Sequence, residues 1–281
     1  MGSTHRIEVG GVSLRVVEEG VGAPVLLLHG FPDSASMWRY QIPVLAAAGF
    51  RVVAPDLRGF GESDKPQSTS AYAMDRILDD LRGVLDSLGI GRVHVVGHDW
   101  GAIAGWALAG WEPDRVRRLV AISVGHPSSF ARPSLSQLRR SWYAVLFQVP
   151  GVAERVFKAR DWALLRATFG GSPDFHRYLA DLSKPGAMRA GLSWYRASMI
   201  VFQASKYPRV KADTLGIWGS KETMLTEGQM TGSERYVDGA WRYERIRAGH
   251  WAPLTRPDVV NDLLLEFLGA SRHLDPAGGC E

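Results

Sequence analysis

The pentapeptide Gly97-His98-Asp99-Trp100-Gly101 follows the apolar run Val93-His94-Val95-Val96 and opens a helix-like stretch from Ala102 to Leu108. Strand, small residue, any residue, central residue, any residue, small residue, helix is the layout of a nucleophile elbow. So tight a turn needs outer positions almost free of side chain, which Gly97 and Gly101 supply. It also forces the central residue into a strained conformation that lifts its side chain into the cavity. That residue is Asp99, where such an elbow often carries Ser. A carboxylate is a poor acyl acceptor, because its attack on an ester would give a reactive anhydride. It can instead displace a leaving group at saturated carbon, forming an enzyme ester that water later cleaves. The elbow therefore points to epoxide opening or carbon–halogen cleavage.

Around it, short apolar runs alternate with helical patterns, the signature of a mainly parallel sheet covered on both faces. Strands are predicted at Arg6–Val9, Val12–Glu18, Pro24–Leu28, Arg51–Ala54, Arg92–Val96, Val116–Ile122, Thr214–Trp218 and Arg242–Ile246. Gly10-Gly11 makes a hairpin turn between the first two. Helices are predicted at Met37–Ala48, Met74–Leu88, Ala102–Trp111 and Asp258–Leu268, the last bounded by Pro257 and Gly269. This is the order of an α/β-hydrolase fold with an eight-stranded sheet.

Between the sixth and seventh strands the alternation stops. Residues 126–210 are rich in proline and aromatics, with helical periods at Leu135–Gln148, Val152–Lys158, Trp162–Thr168, Phe175–Leu182 and Met188–Tyr195, extending towards Gln203. They read as a helical lid closing over the elbow, inserted in a core made of residues 1–125 and 211–281.

Composition narrows the partners. A chain of 281 residues can bury one sizeable core. Net charge is +4, but acidic and basic residues interleave, so a nucleic-acid footprint is not expected. Cys280 is the only cysteine, which excludes a disulfide framework within the chain. No apolar h-region follows the N-terminal residues and no stretch of 18 apolar residues occurs, so neither a signal peptide nor a membrane span is expected. Metal-ligand spacing is missing too. The expectation is a cytoplasmic enzyme using neither a metal nor an organic cofactor. An exposed aromatic lid face would suit a homodimer.

Open α/β sheets place their sites in loops at the C-terminal strand ends, and in this fold the triad runs nucleophile, acid, histidine. Of eight histidines only His250 follows the last strand, so it is the candidate base. His29 and His98 read as packing or hydrogen-bonding residues. Glu222 is the first carboxylate after the seventh strand and is the candidate acid, orienting the imidazole through Nδ1–H. Asp213 would lie at the wrong end of the sheet, and Glu227 and Asp238 fall further on. The loop His29-Gly30-Phe31-Pro32 supplies one oxyanion N–H at Phe31, and Trp100 supplies the other.

Together with the elbow, His29-Gly30-Phe31-Pro32, Trp38-Arg39-Tyr40-Gln41-Ile42-Pro43 and Asp56-Leu57-Arg58-Gly59-Phe60-Gly61-Glu62-Ser63 resemble the epoxide hydrolases of the α/β-hydrolase superfamily. The resemblance covers almost the whole chain. In the lid, Ser193-Trp194-Tyr195-Arg196 resembles the family motif carrying one ring-opening tyrosine, and Ser141-Trp142-Tyr143, ahead of Phe147, resembles the segment carrying the other. The resemblance thus implies Tyr195 and Tyr143 as proton donors to the epoxide oxygen. Phe31, Trp100, Trp194 and Trp251 are the expected substrate-binding residues. The departure is Glu222, where the family more commonly has Asp.

The implied reaction consumes an epoxide and water and releases a vicinal diol. A haloalkane dehalogenase could use the same Asp, His and acid, but Phe31 cannot donate to a halide from its side chain and the lid tyrosines would be left unexplained. A fluoroacetate-type dehalogenase would need a cationic clamp, and Trp rather than Arg follows Asp99. A non-catalytic scaffold on the same fold is disfavoured by the complete nucleophile, base and acid set.

Overall fold

The structure is a computed structural model and describes residues 2–130, 134–198 and 207–269. Eight strands form one sheet: β1 Ser3–Val9, β2 Val12–Glu19, β3 Ala23–Leu28, β4 Phe50–Pro55, β5 Val93–His98, β6 Val116–Ile122, β7 Asp213–Gly219 and β8 Trp241–Ile246, in the order β1-β2-β4-β3-β5-β6-β7-β8. β2 pairs antiparallel with β1 and with β4, and every other pairing is parallel. All eight predicted strands are present, with ends that differ by up to three residues. β1, for example, starts at Ser3 because Ser3 still pairs with Glu18. β5 is buried at every position and β3 over Val25–Leu28, as an interior parallel strand covered on both faces must be.

The helices cover that sheet. α2 (Met74–Ser87) buries Met74, Ile77, Leu78, Leu81, Val84 and Leu85, one stripe at three- and four-residue spacing. α3 (Trp100–Trp111) is buried from Trp100 to Ala109, so it is apolar on all sides. It lies close to the sheet because Gly101 has no side chain: a Cβ there would stand 2.1 Å from the Leu28 carbonyl oxygen.

The predicted helix Met37–Ala48 is two pieces, a 3₁₀ turn at Ala35–Tyr40 and α1 at Ile42–Ala47. Pro43 lacks an amide hydrogen and sits where that lack is tolerated, in the first turn of a new helix.

Between β6 and β7 the described residues form five helices: α4 Leu135–Arg140, α5 Trp142–Phe147, α6 Val152–Phe169, α7 Phe175–Ser183 and α8 Ala187–Ser198. The period predicted over Leu135–Gln148 divides at Ser141, whose ψ of 16° interrupts the helix. The gap predicted between Lys158 and Trp162 is real, since the backbone from Ala159 to Trp162 leaves helical geometry inside α6. The reach towards Gln203 falls outside the described residues.

Three short contacts tie this segment to the sheet side. The Trp194 indole N–H donates to the Arg58 carbonyl at 2.9 Å, Arg39 pairs with both oxygens of Asp174 at 2.6 and 2.9 Å, and the Gln137 amide donates to the Met224 carbonyl. Beyond β7 follow α9 Glu227–Thr231, α10 Ala252–Thr255 and α11 Pro257–Leu268, the last closed by Gly269 at φ 77°. Among the described residues no helix is long and apolar enough to cross a membrane.

Gly101→Ala would push a methyl group into fixed backbone. It should lower stability by on the order of 3 kcal/mol in a urea melt. Gly228→Ala, where nothing lies within 4 Å, should change it little. Equal melts for the two variants would contradict the close approach of α3.

Candidate active site

Asp99 adopts φ 52° and ψ −120°, between β5 and α3. A positive φ is uncommon for a residue with a side chain and costs on the order of 1–3 kcal/mol. The surroundings leave it no alternative. A Cβ on Gly97 would lie 2.4 Å from the Gly101 carbonyl, and one on Gly30 would lie 2.3 Å from the Asp99 Cβ. Gly30 thus lets the loop after β3 press against the carboxylate, and the Phe31 amide donates to Asp99 Oδ1 at 2.8 Å. The Trp100 amide makes no such bond to Asp99 in this geometry.

The other carboxylate oxygen, Oδ2, faces His250 Nε2 at 3.6 Å, an ion-pair distance longer than a hydrogen bond. On its far side the imidazole donates from Nδ1 to Glu222 Oε2 at 2.7 Å. Glu222 Oε1 accepts the Met224 amide at 2.8 Å, which aims the carboxylate. The His250 carbonyl accepts from Ser123 Oγ at 2.8 Å and from His98 Nε2 at 2.9 Å. His98 therefore anchors the histidine loop, and His29 anchors its own: Nδ1 donates to the Gly30 carbonyl while Nε2 accepts the Leu57 amide. Asp99, His250 and Glu222 are brought together; Asp213 instead accepts the Ala240 amide, away from them.

Burial and charge act against each other here. For Asp99, burial opposes ionisation, but His250 and the Phe31 amide outweigh it and its carboxyl sits below the ordinary range. Glu222 follows the same pattern, lowered against its burial by His250 and the Met224 amide. For His250, burial favours the neutral ring, yet Glu222 and Asp99 raise it well above an ordinary histidine. The two flanking carboxylates thus favour the protonated form of the ring.

Aromatic rings roof this pair of charges. Phe31 meets Phe60, Phe147, Phe169 and Tyr195 edge-to-face at 5.4–6.3 Å. The Trp100 ring lies 4.9 Å from Tyr195, and Tyr143 lies 6.4 Å from Tyr195. Burial, then the charge of Asp99, raises both phenols far above their ordinary values, so each keeps its proton. Trp194 backs Trp100 at 5.7 Å, and Trp251 stands edge-on to His250 at 5.1 Å.

One cluster was not foreseen in the sequence. Asp33, buried just past the Phe31 loop, accepts the Tyr178 hydroxyl at 2.6 Å, and Ser172 lies 2.7 Å from that hydroxyl. Burial pushes the Asp33 carboxyl up to about 7 against the pull of Tyr178. Its position directly after the Gly30-Phe31-Pro32 loop was the available signal. Among the described residues no cluster of three or more His, Cys, Asp or Glu side chains could hold a metal.

Comparison with known proteins agrees with this arrangement. Residues 23–257 match the family described as alpha/beta hydrolase fold. The chain is 32% identical to Epoxide hydrolase A of Mycobacterium tuberculosis, with 93% of this chain and 96% of the relative covered. It is 33% identical to Epoxide hydrolase 4 of Mus musculus, over 96% and 80%. The crystal structure of Epoxide Hydrolase A from Mycobacterium thermoresistibile superposes with a TM-score of 0.82 at 31% identity, covering 95% of this chain and 98% of that one. An epoxide hydrolase from Bacillus megaterium gives 0.84 at 29%, covering 94% and 99%. The chain belongs to the α/β-hydrolase family. Within it, it falls among the epoxide hydrolases.

If Asp99 holds the proton on His250, removing its charge must release that proton more easily. In Asp99→Asn, the His250 ring should titrate at a lower pH than in the parent protein, read from its imidazole resonances by NMR. An unchanged or higher titration would refute the coupling.

Proposed function

We propose that the protein is an epoxide hydrolase that works through an ester on Asp99, with residues 126–210 forming the lid over a core of residues 1–125 and 211–281. The observation that carries the reading is the placement of two buried, protonated phenols, Tyr143 and Tyr195, in the aromatic roof within reach of the charge on the elbow carboxylate. An epoxide oxygen stays on the product and must gain a proton, whereas a halide leaves without one. Phenols in that roof can give the first leaving group the proton it needs, which the second does not require.

In the first half-reaction Asp99 attacks an epoxide carbon from the back side while Tyr143 and Tyr195 hold the oxygen. One phenol supplies its proton, because a free alkoxide is a poor leaving group. The ester neutralises Asp99 and removes half of the field that kept His250 charged. The phenolate left behind regains its proton as His250 gives one up, and the neutral imidazole becomes a base.

In the second half-reaction His250, oriented by Glu222, deprotonates water, which attacks the ester carbonyl. The acyl C–O bond then breaks, the diol oxygen leaves with the imidazolium proton, and Asp99, left as the acid, returns its own proton to His250. The Phe31 amide, already on Asp99 Oδ1, faces the developing oxyanion. The Trp100 amide, at the N-terminus of α3, completes the pair. Phe31, Trp100, Trp194 and Trp251 form the apolar wall and floor for the substrate. A Glu in place of Asp as orienting acid is competent, since its 2.7 Å bond to Nδ1 and the Met224 amide hold it as firmly.

The haloalkane reading keeps the same triad but has only the Trp100 indole as a side-chain halide donor. It also leaves the phenols without a task, and the compared relatives carry epoxide hydrolase names.

Two experiments test the assignment. His250→Gln should form the ester with styrene oxide and stall, so mass spectrometry should find one added epoxide mass on the peptide containing Asp99. A modified residue elsewhere would remove Asp99 from its role. Tyr143→Phe and Tyr195→Phe should each slow ester formation by roughly 10²–10⁴-fold in a stopped-flow trace, as expected for loss of a general acid. Parent rates in the double variant would reduce the phenols to packing.

A further inference from the structure

Of the ten large apolar side chains exposed on the described residues, seven lie between Leu135 and Val156. Scattered exposure is ordinary on a soluble surface, but clustering of this kind marks an interaction face. The pattern is regular. Leu135 and Leu138 on α4, Trp142 and Val145 on α5, and Val149 and Val152 leading into α6 follow one another in alternating steps of three and four residues. Val145 is 72% exposed and Trp142 45%. The opposite side of the same helices is buried, through Gln137, Tyr143, Phe147 and Ala153. The inner residues of this run help build the roof of the site, and its exposed residues include the stripe of seven large apolar side chains.

The charges beside the stripe have one sign. From residue 134 to 158, up to the kink in α6, every exposed charged side chain is basic: Arg139, Arg140, Arg155 and Lys158. Beyond the kink Arg160 is followed by the exposed Asp161, which pairs with Arg166. Glu154, the acidic residue of this stretch, is partly buried and taken up by Arg196 at 2.7 and 3.1 Å and by the Gly151 amide. A second copy of the chain on this face would set arginines against arginines with no exposed carboxylate of the stretch between them. A surface that is apolar inside and negative at its edge complements it. Basic side chains flanking a Leu- and Trp-bearing helical stripe are the features of a helix lying in a bilayer interface.

We propose that the outer face of α4, α5 and the start of α6 docks on anionic lipid bilayers, and that the site draws apolar epoxides from the bilayer. The second clause rests on the epoxide hydrolase reading; the first does not. A cleft of about 200 Å³ opens beside the stripe. Its lining includes Trp142, which belongs to the stripe, Tyr143, which belongs to the roof, and Met224, whose amide aims Glu222. An epoxide soluble in the bilayer would meet this cleft at the docking face, without crossing water.

The test uses the full chain and vesicles of phosphatidylcholine with or without phosphatidylglycerol. The protein should sediment with the phosphatidylglycerol vesicles, stay behind with pure phosphatidylcholine, and be released by high salt. The pair Arg139→Gln and Arg155→Gln should weaken binding by tenfold or more, at about fivefold for each lost charge near an anionic surface. Val145→Glu with Val149→Glu should abolish it. Both double variants should keep the parent far-UV spectrum and the parent rate on water-dissolved styrene oxide. Addition of the anionic vesicles should speed the parent, but not the variants, on an epoxide carried in those vesicles.

Absence of binding to the anionic vesicles would overturn the proposal. So would undiminished binding by Val145→Glu with Val149→Glu, which would reduce it to general basic charge. A dimer in sedimentation velocity that the same substitutions dissociate would assign the stripe to a second copy instead. An inactive parent that still binds vesicles through the stripe would sink the epoxide reading and leave the docking face standing.

Discussion

Asp99 is held in a backbone conformation that costs free energy, and the rest of the centre is arranged so that it cannot relax. β5 delivers it, α3 leaves from it, and the loop after β3 closes against its carboxylate through Gly30. Each of these approaches is tighter than a side chain would permit. Moving α3 away would release the strain, but the bare backbone of Gly101 against Leu28 and the burial of Trp100 to Ala109 oppose that movement. The sheet thus stores, at one residue, an orientation that solvent-exposed carboxylates do not keep. Preorganisation of this kind lets the carboxylate act without first rearranging.

Charge balance follows from that placement. A buried imidazole alone would be neutral, and two buried carboxylates alone would be protonated. Set in a row, with Glu222 at 2.7 Å on one side and Asp99 at 3.6 Å on the other, each shifts its neighbour towards the charged form. The row is asymmetric. Glu222 is hydrogen-bonded and keeps its charge throughout, while Asp99 loses its charge when it forms an ester. On the proposed mechanism, one covalent event converts His250 from a partner of the nucleophile into a base for water.

Much of this was legible in the chain. Period-two and apolar runs located all eight strands because parallel strands in a covered sheet are apolar almost throughout, and β5 and β3 are. Glu222 and His250 were readable because the fold fixes which strand end each loop leaves. What was not legible depends on contacts between distant segments. Asp33 and Tyr178 are 145 residues apart, and the place of Asp33 after the oxyanion loop did not say which residue would meet it. The bond from the Trp194 indole N–H to the Arg58 carbonyl, across 136 residues, was equally out of sight. The run from Leu135 to Val152 was legible as helical, but with apolar residues on both sides its periodicity could not say which side would face the core. Local geometry also overruled periodicity at Pro43 and Ser141, where one helical pattern became two elements.

The central claim is that the oxygen given to the product first comes from Asp99 and not from water. A single turnover in ¹⁸O-water, with enzyme in excess over styrene oxide, measures it directly by mass spectrometry of diol and protein. The account predicts an unlabelled diol and one ¹⁸O on the peptide carrying Asp99, because water attacks the ester carbonyl and leaves its oxygen in the carboxylate. A diol labelled in that first turnover, with Asp99 unlabelled, would mean that water opens the ring itself and would contradict the ester mechanism.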